Sequence, residues 1–259
     1  MLWALAGALV VGLSLGLMGS GGSILTVPVL TYLVGQDEKI AIAGSLGIVG
    51  AISLVAGVPY ARNRLVDYRS VLFFGVPGMV GAYLGASLSQ FVSGTTQLAV
   101  FAALMLVAGV LMLKPLRDQE KDGHAPRSAY KVIIEGLLVG IVTGFVGVGG
   151  GFLIVPALVL LGGLPMHRAI GTSLFIIALK SFTGFYKYLE ILGGLELELD
   201  WNVLTTFALI GILGSFVGKA VSTKLPQDVL KRSFAVFLFI VGTFIVLQSW
   251  QGLMAPTAS

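Results

Sequence analysis

The sequence predicts an all-α integral membrane protein of two inverted-topology repeats with glycine-broken helices, about eight full spans plus short half-helices. Three observations carry that expectation. The 259 residues are 56% hydrophobic and 11% charged, with a mean hydropathy of +0.99. A soluble chain averages about 25% charged residues, so the solvent here is a bilayer and little of the chain lies outside it. The same glycine-broken segment occurs twice, 128 residues apart. Matched loops of the two copies carry different charge.

A helix needs about 20 apolar residues to cross a hydrocarbon core of about 30 Å. Residues 40–60, 69–91, 95–113, 166–188, 201–222 and 228–250 each supply such a run. Two further regions, 2–34 and 131–163, are longer and are cut near the middle by glycines. The N-terminal apolar stretch lacks the basic flank of a signal peptide and recurs inside the chain, so it reads as a retained first helix. The one substantial polar stretch runs from Lys114 to Lys131. The expected organisation is therefore a first repeat over 1–113, a charged cytoplasmic linker over 114–129, a second repeat over 130–250 and a short tail over 251–259.

Adding 128 to residues 12–46 gives residues 140–174 without a gap, and 15 of these 35 pairs are identical. The matches include Gly12 with Gly140, Gly16 with Gly144, Gly19 with Gly147, Pro28 with Pro156 and Ser45 with Ser173. Beyond a short insertion the offset becomes 133, pairing Asp67 with Asp200, Gly78 with Gly211, Gly81 with Gly214 and Gly85 with Gly218. The loop at 61–69 carries Arg62, Arg64 and Arg69, whereas its counterpart carries Glu190, Glu196, Glu198 and Asp200. The turn at 91–95 is uncharged, whereas its counterpart holds Lys224, Lys231 and Arg232. Basic loops stay cytoplasmic, so equivalent loops face opposite sides and both termini fall outside. This parity requires each glycine-broken region to form a hairpin or a long-plus-short helix pair.

Unpaired backbone groups cost several kcal/mol in hydrocarbon, so a break survives only inside protein or along a polar cavity. A helix starting at such a break points free N–H groups and its positive dipole end into that space, which suits a small anion. The candidate substrate-binding residues are Gly19, Ser20, Gly21, Gly22 and Ser23 in the first copy, and Gly147, Gly149, Gly150 and Gly151 in the second. Both segments are expected to be non-helical and to face each other. Gly12, Gly16, Gly81 and Gly85 read instead as close-packing positions.

Lys180 lies deep within a span, where a charge marks either an anion contact or a structural pairing with a carbonyl or Glu135. Lys187 and Lys219 lie near span ends and read as snorkelling side chains. Ser45 and the pair Thr172 and Ser173 begin the following helices, where hydroxyls either bind oxyanion oxygens or bond back to their own helix. Asp67 and Asp200 read as N-caps.

Neither a soluble βαβ unit nor a complete phosphate loop surrounds any of these glycines. With no Cys, two loop-like histidines and no paired acids, the chain offers no catalytic constellation, metal site or cofactor motif. It reads as a non-enzyme whose partners are a small inorganic or organic anion and the bilayer, without nucleic acid. The bottom-up reading is a secondary transporter of a small anion. The alternatives are a channel-like anion conduit, a small-carboxylate carrier or a non-transporting scaffold.

The segments "GSGGSILTVP" with "AGSL", and "GVGGGFLIVP" with "GTSL", resemble the sulfite exporter TauE/SafE family from Gly12 to about Trp250. That resemblance implies a cell-membrane exporter of sulfite or an organosulfonate. Ser20 and Ser23 depart from the triple-glycine form of the second copy.

Overall fold

A computed structural model describes residues 2–113, 129–147 and 151–254. Every element among them is helical. The first half contains α1 (Leu2–Met18), α2 (Gly21–Leu33), α3 (Glu38–Arg62), α4 (Tyr68–Ser89) and α5 (Gly94–Leu113). The second contains α6 (Ala129–Val146), α7 (Gly151–Leu161), α8 (Met166–Gly194), α9 (Trp201–Ser222) and α10 (Gln227–Met254). The charged linker lies outside the described residues.

Six of these helices are long and apolar enough to cross a bilayer, and they coincide with the six uninterrupted runs expected from the sequence. The helices α1 and α6, also counted toward eight full spans, have 17 and 18 residues, or about 26 Å of rise each.

Local chemistry shapes both broken regions in the same way. Gly19 and Gly147 end α1 and α6 with φ of +72° and +74°, a left-handed conformation that glycine adopts without a Cβ penalty. Pro28 and Pro156 then sit inside α2 and α7. Proline has no N–H and crowds the carbonyl four residues back, and wider π-type winding follows at Val29–Leu33 and Ala157–Leu161. Each short helix closes on a second left-handed glycine, Gly35 or Gly163. The amide of Gln36 there donates to the Leu30 carbonyl, and that of Leu164 to the Leu158 carbonyl, both at 3.0 Å.

Two helix pairs run parallel at close range. A Cβ on Gly12 or Gly16 of α1 would strike the carbonyl of Gly211 or Ser215 on α9. On the other side, Gly81 and Gly85 of α4 lie on the Leu137 and Ile141 carbonyls of α6, while Gly140 and Gly144 lie on those of Gly78 and Ala82. The helices touch through backbone, as expected where lipid tails compete with apolar side chains.

Two further pairs run antiparallel, α3 with α8 and α5 with α10. Contacts along the first join Gly47 to Phe185, Gly50 to Phe182 and Gly57 to Phe175. Along the second, Gly109 meets Phe239 and Gly242 meets Leu106. The α3–α8 register sets Ile52 opposite Lys180, the pair that the 128-residue offset relates. These are also the most enclosed spans, 78% and 67% buried against 33–44% for the other four.

Asp200 caps α9 by accepting from the amides of Asn202 at 2.9 Å and Val203 at 3.1 Å. Asp67 occupies the matching position, but its carboxylate accepts from the Ser70 hydroxyl at 2.6 Å instead of a backbone amide.

Replacing Gly144 by Val should force the α4–α6 backbones apart. The expected loss is about 3 kcal/mol, seen as a lower unfolding midpoint in detergent. Single cysteines replacing Asn63, Asp228 and Leu195, all exposed, should report sidedness. Impermeant reagents are expected to reach 63 and 228 from the cytoplasm and 195 from outside. Labelling of 63 and 195 from one side would defeat the inverted topology.

Candidate functional site

The two broken regions meet. A Cβ on Gly151, the first residue of α7, would fall 2.5 Å from the Ser20 Cβ and 2.7 Å from Ile177 Cδ1. Ser20 forms the gap between α1 and α2, and its hydroxyl is buried without a hydrogen-bond partner among the described residues. The non-helical stretch is shorter than the sequence suggests. Only Gly19 and Ser20 leave the helix in the first copy, while Gly21, Gly22 and Ser23 already form the first turn of α2. A single left-handed residue turns the chain, and the next glycines let α2 pack on α1 at Ser14 and Leu15. Ser23 spends its hydroxyl on the Ser20 carbonyl at 2.7 Å. Gly149 and Gly150 lie outside the described residues.

Hydroxyls from α3 and α8 hold the two breaks. Ser173 of α8 donates toward the Gly19 carbonyl at 3.1 Å and the Ile170 carbonyl at 2.8 Å. Ser45 of α3 does the same toward Gly147 at 3.3 Å and Ile42 at 2.8 Å. Each serine therefore bonds back to its own helix and also reaches the carbonyl freed by the break. Tyr60 donates to the Gly16 carbonyl at 3.1 Å, and Tyr188 to that of Phe145 at 3.3 Å. Tyr60 and Tyr188 are also 128 residues apart.

The second break has an extra support. Gln97 of α5 donates to the Phe145 carbonyl and to the Tyr188 hydroxyl, the latter at 2.8 Å. Its amide oxygen accepts from Lys39, whose ammonium also donates to the Ser89 carbonyl at 2.8 Å. The position matching Gln97 by the 133-residue offset is the buried Leu230. No motif in the sequence marks Gln97 or either tyrosine. Extending the repeat offset beyond residue 46 would have found the tyrosines, but no repeat signal marks Gln97.

The remaining candidates on α8 contact α4 instead of the hairpins. Thr172 accepts from the Asp67 amide at 2.9 Å, at the start of α4. Ile176 packs near Gly75, and Lys180 lies against Gly78, its Cδ 3.0 Å from where a Cβ would stand. Thr172 and Lys180 thus turn toward α4, while Ser173 and Ile177 turn toward the hairpin tips. Lys180 is 2% exposed and its ammonium has no hydrogen-bond partner among the described residues. By contrast, Lys187 pairs with Glu190 at 2.6 Å, and Lys219 stands 5.4 Å over the Tyr60 ring.

The two halves differ where Thr172 is matched by Gly44. There, Gly44, Ile48, Asp200 and Leu204 line a surface crevice between α2, α3 and the start of α9 that is too narrow to hold a water molecule.

Among the described residues, six apolar spans and two broken helix pairs that touch at Ser20 and Gly151 make the architecture of a multi-pass membrane protein. The family model for the sulfite exporter TauE/SafE matches residues 4–245. The chain belongs to that family. It is 34% identical over 252 residues to a "Probable membrane transporter protein" of Xylella fastidiosa (strain 9a5c), covering 95% of this chain and 94% of the relative. A Bacillus subtilis (strain 168) relative, "Probable membrane transporter protein YunE", is 27% identical over 93% of this chain and 95% of its own length. "Probable membrane transporter protein MJ0441" of Methanocaldococcus jannaschii is 23% identical over 92% of this chain and 94% of its own length. No solved structure matches the chain.

Gly19→Ala should bring a Cβ within 2.9 Å of the Ile170 Cα and the Ser173 hydroxyl, in a conformation costing about 1–3 kcal/mol for a non-glycine residue. The expected outcome is a transport rate reduced at least about tenfold with the chain still inserted, measured in proteoliposomes. A wild-type rate would return Gly19 to a packing role.

Proposed function

We propose that this membrane transporter is a secondary carrier that exports a small anion of the sulfite or organosulfonate type. Alternating access around the two hairpin tips moves the anion. The observation that carries the anion reading is Lys180, whose buried side-chain amine at the midpoint of α8 has no hydrogen-bond partner among the described residues. An uncompensated charge at mid-depth in a bilayer costs at least about 3 kcal/mol, so a transported anion serves as its counter-charge. Sulfur oxyanions and outward movement are favoured by the family's description as sulfite exporters.

The ammonium works beside the tips rather than between them. Its stem runs toward Gly78, so it acts on an anion near Ser20 and Gly151 partly through space. A charge in a low-dielectric surrounding acts over a longer distance than it does in water. The matching residue in the first repeat is Ile52, whose side chain packs on Gly211 as that of Lys180 packs on Gly78. One repeat therefore supplies the charge, and both supply helix ends.

Lys180→Met should weaken sulfite binding by about 30-fold, the equivalent of about 2 kcal/mol, whereas Lys180→Arg should retain part of the affinity. Counterflow of radiolabelled sulfite in proteoliposomes, with methanesulfonate and acetate as competitors, measures both the charge effect and the class of anion. Near-normal affinity in a folded Met variant would make Lys180 structural. Stronger competition by acetate would move the substrate to the carboxylates.

A further inference from the structure

Six buried side-chain polar atoms lack a hydrogen-bond partner among the described residues: Ser20 Oγ, Thr31 Oγ1, Ser53 Oγ, Lys180 Nζ, Ser181 Oγ and Ser222 Oγ. Thr31 lies in the π-wound end of α2, and Ser222 ends α9. The other four lie at the first hairpin tip and on the central helices α3 and α8. A serine inside a membrane helix ordinarily bonds back to its own backbone. Ser14, Ser45, Ser89, Ser173 and Ser215 all do so, each to the carbonyl three residues earlier at 2.7–2.9 Å. Ser53 and Ser181, both 0% exposed, do not.

Their positions along α3 and α8 explain what the free hydroxyls face. On α3, Ser45 holds the second hairpin at Gly147 and Tyr60 holds the first at Gly16. Ser53 lies between them, seven residues from Tyr60 and within about 20° of the same helix face. On α8, Ser173 holds the first hairpin at Gly19 and Tyr188 holds the second at Phe145. Ser181 lies between these two with the same spacing. One turn before Ser181, Ile177 packs on Gly151, which also touches Ser20. Both free hydroxyls therefore lie along α3 and α8 between the residues that hold the two hairpins. They are again 128 residues apart, whereas their neighbours Ile52 and Lys180 differ.

We infer that Ser53 and Ser181 are paired substrate contacts at mid-membrane, donating with Ser20 to oxygens of the carried anion. This deepens the anion reading and rests on it. Two hydroxyls presented from antiparallel helices suit an anion with at least two oxygens on one atom, as in a sulfite, sulfonate or carboxylate group. Neutral donors in a water-poor site bind such oxygens more strongly than water-exposed ones would, without holding the anion as a fixed ion pair. A buried hydroxyl without a partner is costly, and an arriving anion relieves that cost.

The test uses Ser53→Ala, Ser181→Ala, the double variant and Ser181→Thr in the full-length protein. Radiolabelled sulfite transport in proteoliposomes gives KM, and thermal unfolding in detergent gives Tm. Each alanine should raise KM by about tenfold and the double variant by more, with Tm unchanged or higher because an orphan donor has been removed. Ser181→Thr keeps the hydroxyl and should stay within a few-fold of wild type. A wild-type KM in the double variant overturns the proposal. So does a lowered Tm in both single alanines, which would make the serines structural. If the wild-type protein transports neither sulfite nor methanesulfonate, the anion reading itself fails. Transport of either probe with unaltered serine variants removes only the paired-contact proposal.

Discussion

A backbone interrupted within a bilayer must find partners for its freed carbonyls and amides inside the protein. The rest of the architecture follows from that requirement at Gly19 and Gly147. The freed carbonyls are met by Ser173 and Ser45, and the preceding helix ends by Tyr60 and Tyr188. All four donors come from α3 and α8. These two helices must therefore be enclosed, and the remaining spans become a coat facing lipid. Each central helix is tied to both hairpins, so any displacement of one hairpin is felt along the full length of both.

Much of this was legible in the chain itself. The six uninterrupted spans, the breaks and the small-residue contacts of Gly12, Gly16, Gly81 and Gly85 follow from hydropathy and glycine spacing. The hydroxyl partners were only partly legible. Ser45 and Ser173 fell within the ungapped repeat, whereas Tyr60, Tyr188, Ser53 and Ser181 lay beyond the stretch where identity is dense. Gln97 and Lys39 were not legible as a pair, because their contact joins α5 to α3 across 58 residues and only the second half of the site needs it. Sequence also grouped Thr172, Ser173 and Lys180 as one site. Helical phase separates Thr172 from Ser173, since adjacent residues differ by about 100° around the axis, and Lys180, close in phase to Ser173, reaches α4 through its long side chain.

Three asymmetries between the halves lie near the α3–α8 crossing and the hairpin ends. Lys180 replaces Ile52, Thr172 replaces Gly44 and Gln97 replaces Leu230. Each exchange puts a polar side chain in one copy where the other carries glycine or an aliphatic. The two hairpins wind alike, and exchanges such as these make their surroundings unequal.

The parallel glycine contacts join partners from the two halves of the chain, and this has a consequence for biosynthesis. Gly12 of α1 rests on Gly211 of α9, a residue translated 199 positions later (211 minus 12). At about 5–20 residues per second, the ribosome needs roughly 10–40 s to supply that partner. Throughout this interval the bare backbone ridge of α1 faces lipid or the insertion machinery. The first half is thus an unfinished surface that the second half completes, and the two cannot mature as separate folding units.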